Sequence, residues 1–230
     1  MKKTLLLSAL SLALLGSAAH AADTATLKVA GRLTNAACTP TMSDAGVADY
    51  GKIYLGNLSA TATNQLGQKN ITLSINCTAA TKVAWRFMDN RAGTRPLGIE
   101  VANADVSGAA TTDSVRTNGF GKTAGGVKLG GWALYVDLPN LKANGVAVDF
   151  LEGDNTLTHA WQKSTTGAVK NTSGNEFWYS TATTGSLEAL AITNAVFPLV
   201  VSAAVQNTAT LAITDDTPLD GEATITLAYL

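Results

Sequence analysis

Two histidines, two cysteines and a few clustered carboxylates are the residues here that could do chemistry. His20 lies in the leader segment described below, so His159 alone remains for a mature protein. One imidazole falls short of the two or three that a catalytic zinc usually draws on. A Ser-His-Asp triad would have to use His159, within Thr158-His159-Ala160-Trp161, and no Gly-x-Ser-x-Gly seats a nucleophile. Asp149, Glu152 and Asp154 cluster, and Asp215 stands beside Asp216. Two carboxylates suffice for glycoside hydrolysis, so Asp149 with Asp154 is the pair a hydrolase would use. The same cluster lacks the regular oxygen-ligand spacing of a calcium loop. Asp215-Asp216-Thr217-Pro218 reads as a turn, since Asp favours turn positions and Pro interrupts strands.

Gly119-Phe120-Gly121, Gly125-Gly126 and Gly130-Gly131 have the look of a phosphate cradle, but no Gly-Lys-[Ser/Thr] follows at P-loop spacing. Turns between strands account for them better. Of the four tryptophans, Trp85 and Trp132 sit in strand patterns and belong to a core. Trp161 and Trp178 flank a loop-rich region and are the candidates for an exposed ligand patch, such as a sugar-stacking platform. These residues describe a protein that is not an enzyme and holds no cofactor or metal.

The leader sets the compartment. Lys2 and Lys3, the apolar run Leu5 to Leu15 and the small-x-small site Ala19-His20-Ala21 are laid out as a bacterial secretory signal peptide over 1–21. Its loss leaves 209 of 230 residues and, with two lysines gone, takes the formal net charge from −1 to −3. A mildly acidic chain with no basic block gives nucleic acid no electrostatic footing. No later apolar run is long enough for a membrane span. In an oxidising compartment a disulfide between Cys38 and Cys77 is the default, and the C-x-x-C spacing of a redox pair is absent.

The elements that carry these residues are strands. Charged residues make up 14% of the chain, Thr and Gly are frequent, and period-2 alternation replaces any helical heptad. Leu27, Val29, Gly31 and Leu33 share a face of the first run; Ile71, Leu73, Ile75 and Cys77 a second; Val83, Trp85 and Phe87 a third. Further runs are Trp132 to Val136, Val146 to Phe150, Phe177 to Tyr179, Leu211 to Ile213, and Ile225, Leu227 and Tyr229 at the end. Val196 to Val201 reads as a doubly buried strand in which Pro198 argues for an edge or a bulge. Short strands with turn signals between them predict an all-β sandwich or barrel. A single domain over 22–230 is expected, with the long stretches 89–126 and 151–186 as loop insertions at one end of it.

Two stretches carry a family resemblance. Leu33-Thr34-Asn35-Ala36-Ala37-Cys38 leads to a second cysteine at the end of Ile71 to Cys77, and Gly221-Glu222-Ala223-Thr224-Ile225-Thr226-Leu227-Ala228-Tyr229 closes the chain. This resembles the pilin subunits of bacterial chaperone–usher fimbriae. The middle, with Asp89 to Thr94 and Gly126 to Gly131, looks more like a poorly characterised branch of fimbria-related exported proteins. The resemblance implies an immunoglobulin-like (pilin-type) β-sandwich that lacks its last strand. It implies a groove beside Ile225, Leu227 and Tyr229 which a periplasmic chaperone fills before the next subunit does. The physics would be β-augmentation, in which main-chain hydrogen bonds give affinity and alternate side chains fill pockets.

This chain departs from the pilin pattern in its N-terminal extension, its length and the place of Gly221. Only Ala22 to Thr26 precede Leu27, so either Leu27 to Leu33 doubles as donor strand or this protein does not donate. The expectation is a fimbrial-type structural or adhesive subunit, exported to the periplasm and then to a surface fimbria. Its partners would be a chaperone, an usher and other fimbrial subunits, with a host glycan or surface receptor as a further possibility. The alternative is a self-complete exported β-sandwich that binds a ligand such as glycan through its loops.

Overall fold

The computed structural model describes residues 37–154, 160–171 and 177–230. The signal segment, the run Leu27, Val29, Gly31 and Leu33, and His159 lie outside them. Among the described residues the strands in chain order are β1 (Cys38–Met42), β2 (Asn64–Asp89), β3 (Asn118–Gly119), β4 (Gly130–Val136), β5 (Lys142–Ala143) and β6 (Val146–Ala147). They continue with β7 (Asp149–Asp154), β8 (Gln162–Lys163), β9 (Ala168–Val169), β10 (Phe177–Ala182), β11 (Ala191–Val205) and β12 (Ala223–Tyr229). One short helix, α1 (Thr208–Leu211), precedes the last strand. The all-β, sandwich-like architecture expected from the alternation is what the chain adopts.

β2 organises the whole. Its first part pairs with β11 on one side and β1 on the other, and β11 continues the layer to β4. Its last part pairs with β12 and, through Trp85 opposite Tyr179, with β10, which carries β7 and β8. The sequence reads as separate strands at Ile71 to Cys77 and Val83 to Phe87, but the two are one strand of 26 residues. The register with β11 jumps from Asn194 opposite Asn76 to Ile192 opposite Thr81. Residues 77–80 thus face the single residue Thr193, a bulge of the kind that bends a strand. There β2 leaves one layer for the other.

Three further readings are corrected. Leu211 is not in a strand: it closes α1, which Asn207 caps by accepting the Thr210 N–H with its side chain. The stretch 151–186 is not a loop insertion, since it supplies part of β7 and all of β8, β9 and β10. Pro198 marks neither edge nor bulge. Opposite it, Thr72 donates its N–H to the Ser43 hydroxyl, away from β11. Strand backbones alternate direction, so Pro198 faces the other side, where β4 ends at Val136 and β5 pairs no further than Val196. Its missing N–H falls in the break between two neighbours, and its carbonyl still takes the Asp137 N–H.

Aromatic rings join the layers. Trp85 is 1% exposed and lies 4.9 Å from Tyr179 on its own layer and 5.5 Å from Phe197 of β11 across the core. Phe87 meets Trp132 of β4 edge-on at 5.6 Å. Such pairs add about 1 kcal/mol each to the burial of their area. The stretch 89–126 is fastened by polar groups instead: Asp89 accepts the N–H of Arg91 and of Gly119, and Asn171 donates to the Thr117 carbonyl and the Asn118 side chain. Burial pushes the Asp89 carboxyl up even so. Gly119 is required there, because a Cβ would run into the Arg91 carbonyl and the Thr94 hydroxyl.

Candidate functional site

The last strand and the first lie end to end along one side of β2. Cys38 stands directly opposite Cys77 and Tyr229 opposite Val83; β12 ends at that junction while β1 begins there, both running antiparallel to β2. Three bonds close it. Cys38 and Cys77 form a disulfide, Thr78 donates its N–H to the Ala37 carbonyl, and Cys38 donates its N–H to the Tyr229 hydroxyl at 2.9 Å. Away from the junction β1 and β12 diverge, one into each layer.

Between them runs an apolar groove of about 1160 Å³. Its floor draws on both layers: Ile71 and Leu73 of β2, Leu134 and Trp132 of β4, Leu199 and Val201 of β11, with Phe120 and, from the last part of β2, Phe87. Ala223 and Ile225 of β12 form one wall. Gly221 keeps the floor intact just before that wall, since a Cβ would stand 2.9 Å from the Trp132 indole nitrogen.

The other wall is a segment that the sequence reading passed over. Val47 to Leu55 lines the groove and joins no strand. Tyr50 pins it by donating its hydroxyl to the Val201 carbonyl at 2.7 Å, and burial pushes the phenol up. Apart from the Gly51 N–H on the Asp49 carboxylate, the backbone of residues 48–53 has no hydrogen-bond partner among the described residues. The half-buried positions Ala48 and Tyr50, two apart, were the available signal.

The outer edge of β12 is open in the same way. Leu230 donates its N–H to the Lys82 carbonyl, and Glu222 accepts the Asn90 N–H. Even-numbered residues therefore turn their backbone groups toward β2. Ala223, Ile225, Leu227 and Tyr229 turn theirs outward, where no strand among the described residues meets them. Ile225 and Leu227 are half-buried with their side chains packed on the main core. Of the three expected groove residues, only Ile225 lines the groove itself. Tyr229 is 56% exposed and serves the junction.

The remaining candidates do not assemble into a site. Trp161 and Trp178 are 8% and 6% exposed, packed in a small cluster with Ala84, Leu151 and Ala182, so they form no exposed platform. The Arg86 guanidinium caps the Trp178 ring at 5.3 Å, and a Cβ on Gly153 would touch Trp161 at 3.2 Å. Asp149 to Asp154 form a paired strand, not a loop that could wrap calcium. Asp149 accepts the Gly185 N–H and pairs with Lys163 at 2.8 Å, which together hold its carboxyl below the usual range. Glu152 lies 3.7 Å from Lys170. Among the described residues no three His, Cys, Asp or Glu side chains come close enough to hold a metal ion.

The geometry defines a disulfide-bridged, all-β protein with an open apolar groove. Its bridge is one that an oxidising compartment outside the cytoplasm lets persist. No helix among the described residues is long and apolar enough to cross a membrane. The chain belongs to the family described as "Protein of unknown function (DUF1120)", whose profile matches residues 27–133. It is 32% identical to the protein GltF of Escherichia coli K12, over 97% of this chain and 95% of that one. It is 31% identical to "Uncharacterized protein YhcF" of the same strain, over 92% of this chain and 93% of the relative.

Proposed function

We propose that this protein is a non-enzymatic, fimbrial-type structural or adhesive subunit completed by a β-strand from a partner. The groove between two backbone edges that are unpaired among the described residues carries this reading. A volume of about 1160 Å³ exceeds the roughly 300–1,000 Å³ of small-molecule pockets. A compact apolar ligand would also leave the outward backbone groups of β12 and of residues 48–53 unmatched. A single strand satisfies both edges and buries alternate side chains on the floor. Left open, such an edge is an aggregation site.

In this reading a periplasmic chaperone supplies the strand first, and a neighbouring subunit assembled through an usher replaces it at the cell surface. Adhesion to a receptor would fall to other surfaces. The test is export of the mature protein alone, oxidised, in a host that lacks fimbrial chaperones. Aggregation or degradation is expected, with recovery when a chaperone or a strand peptide is supplied. A soluble monomer with one steep, reversible urea transition, indifferent to added strand, would sink the reading.

A further inference from the structure

The rim of the groove is charged unevenly. Asp49, Asp215, Asp216, Glu222 and Lys52 are its charged lining residues. Glu222 has an ion-pair partner, since Arg91 reaches its carboxylate at 2.8 Å and that of Asp220 at 2.9 Å. Asp215 and Asp216 are exposed and have no cation within ion-pair distance among the described residues. Asp49 and Lys52 offset one another in net charge, which leaves Asp215 and Asp216 as the lining carboxylates with neither a cation partner nor an offsetting lysine. Both lie in the connection between α1 and β12. The contact between Tyr229 and Cys38 contributes no lining residue. The charge that the groove's lining leaves without an ion-pair partner is therefore acidic and lies in the turn that precedes β12.

We propose that the strand which fills this groove comes from a different protein and carries Lys or Arg at the end that lies beside Asp215 and Asp216, past a run of alternating apolar residues. This rests on the strand-complementation reading and adds the partner's chemistry and polarity. The apolar floor supplies area but no direction, because a strand of alternating apolar residues fits it either way round. Charge at one end breaks that tie. A basic end gains from the aspartates and is steered toward them during encounter, whereas an acidic end meets like charge.

The test uses the full mature protein and fluorescent peptides of about nine residues alternating Leu with Thr. Each carries a Lys-Lys, Ser-Ser or Glu-Glu pair at one end or the other, and binding is read by anisotropy. Two exposed ion pairs are worth a few-fold in affinity. A Lys-Lys peptide is expected to bind about five-fold more tightly than its Ser-Ser partner in one end placement only. That advantage should vanish in Asp215→Asn/Asp216→Asn and at about 0.5 M salt, where screening is short-ranged. Equal binding of Lys-Lys and Glu-Glu, an advantage in both placements, or one that survives the double variant would overturn the charge proposal. In each of those cases Ser-Ser binding keeps the strand reading intact. No binding by any peptide to folded protein would overturn both. Self-association that Ile225→Asp abolishes would make the occupant a second copy and overturn the assignment to a different protein.

Discussion

The Cys38–Cys77 bridge should be a large contribution to stability that one double substitution removes. The two residues are 39 apart in the chain. The loop-closure relation then gives about 4 kcal/mol of stabilisation, from the entropy that the bridge denies the unfolded chain. For a protein of this size each kcal/mol moves Tm by about 2–4 °C, so Cys38→Ser/Cys77→Ser should lower Tm by about 8–16 °C. The local structure offers little compensation. β1 is five residues long with three exposed, and it pairs with β2 along one edge only. Scanning calorimetry of the oxidised protein against the double variant reads the shift. Hydrogen exchange reads its location, with the amides of Leu73 to Cys77 losing protection first. Tyr229→Phe, which removes the acceptor of the Cys38 N–H, should cost about 0.5 kcal/mol in the bridged protein. It should cost almost nothing in the Cys-free background, because both changes act on one junction. A Tm within about 2 °C of wild type, or undiminished additivity with Tyr229→Phe, would refute the account of the junction.

Trp161→Ala should cost about 3 kcal/mol in urea unfolding, as a buried ring lost from a packed cluster does. Equal stability with loss of glycan binding would restore the exposed-platform reading. Asp149 has a folded value below its unfolded one, so its stabilisation is complete above about pH 4 and is lost as pH falls through the folded value. Asp149→Asn should therefore flatten the acid limb of the stability curve below about pH 4 and lower the plateau above it; an unchanged limb would sink the linkage. Ile225→Asp should abolish strand-peptide binding while far-UV circular dichroism stays native. Leu227→Ala, which leaves the lining untouched, should weaken the fold and spare the binding.

Alternation carried the fold class because each buried face reports itself at every second residue. Ile71, Leu73 and Ile75 are 5%, 1% and 0% exposed, and Trp85 and Phe87 are equally deep. Continuity between those runs was invisible, because Thr78 to Lys82 holds no large apolar residue that would carry the alternation on. Only a partner strand shows that it is a bulge, and the partner is more than a hundred residues away. The disulfide was legible from compartment and count. Ile225 was legible as a groove residue and Trp161 was not legible as core, since nothing nearby in sequence announces the strand face that covers it. The groove wall at residues 47–55 left the faintest trace. A segment that pairs with no strand among the described residues lacks the cross-strand pairs that make strands recognisable.

That wall and β12 communicate through one strand. β1, which leads into the wall, hangs on the first part of β2, and β12 hangs on the last part. The junction of Cys38, Cys77 and Tyr229 sits where β2 changes layers. A strand that pairs with both free edges therefore closes a circuit through β2 and ties the two layers together at the end opposite the junction. Its binding energy should then appear as a rise in global unfolding free energy, RT ln(1 + [L]/Kd), rather than as local ordering of the groove. Exchange protection should rise together at Phe87 in one layer and Leu199 in the other. A rise confined to β12 would mean that the incoming strand meets one edge only, and that residues 48–53 find their partners elsewhere.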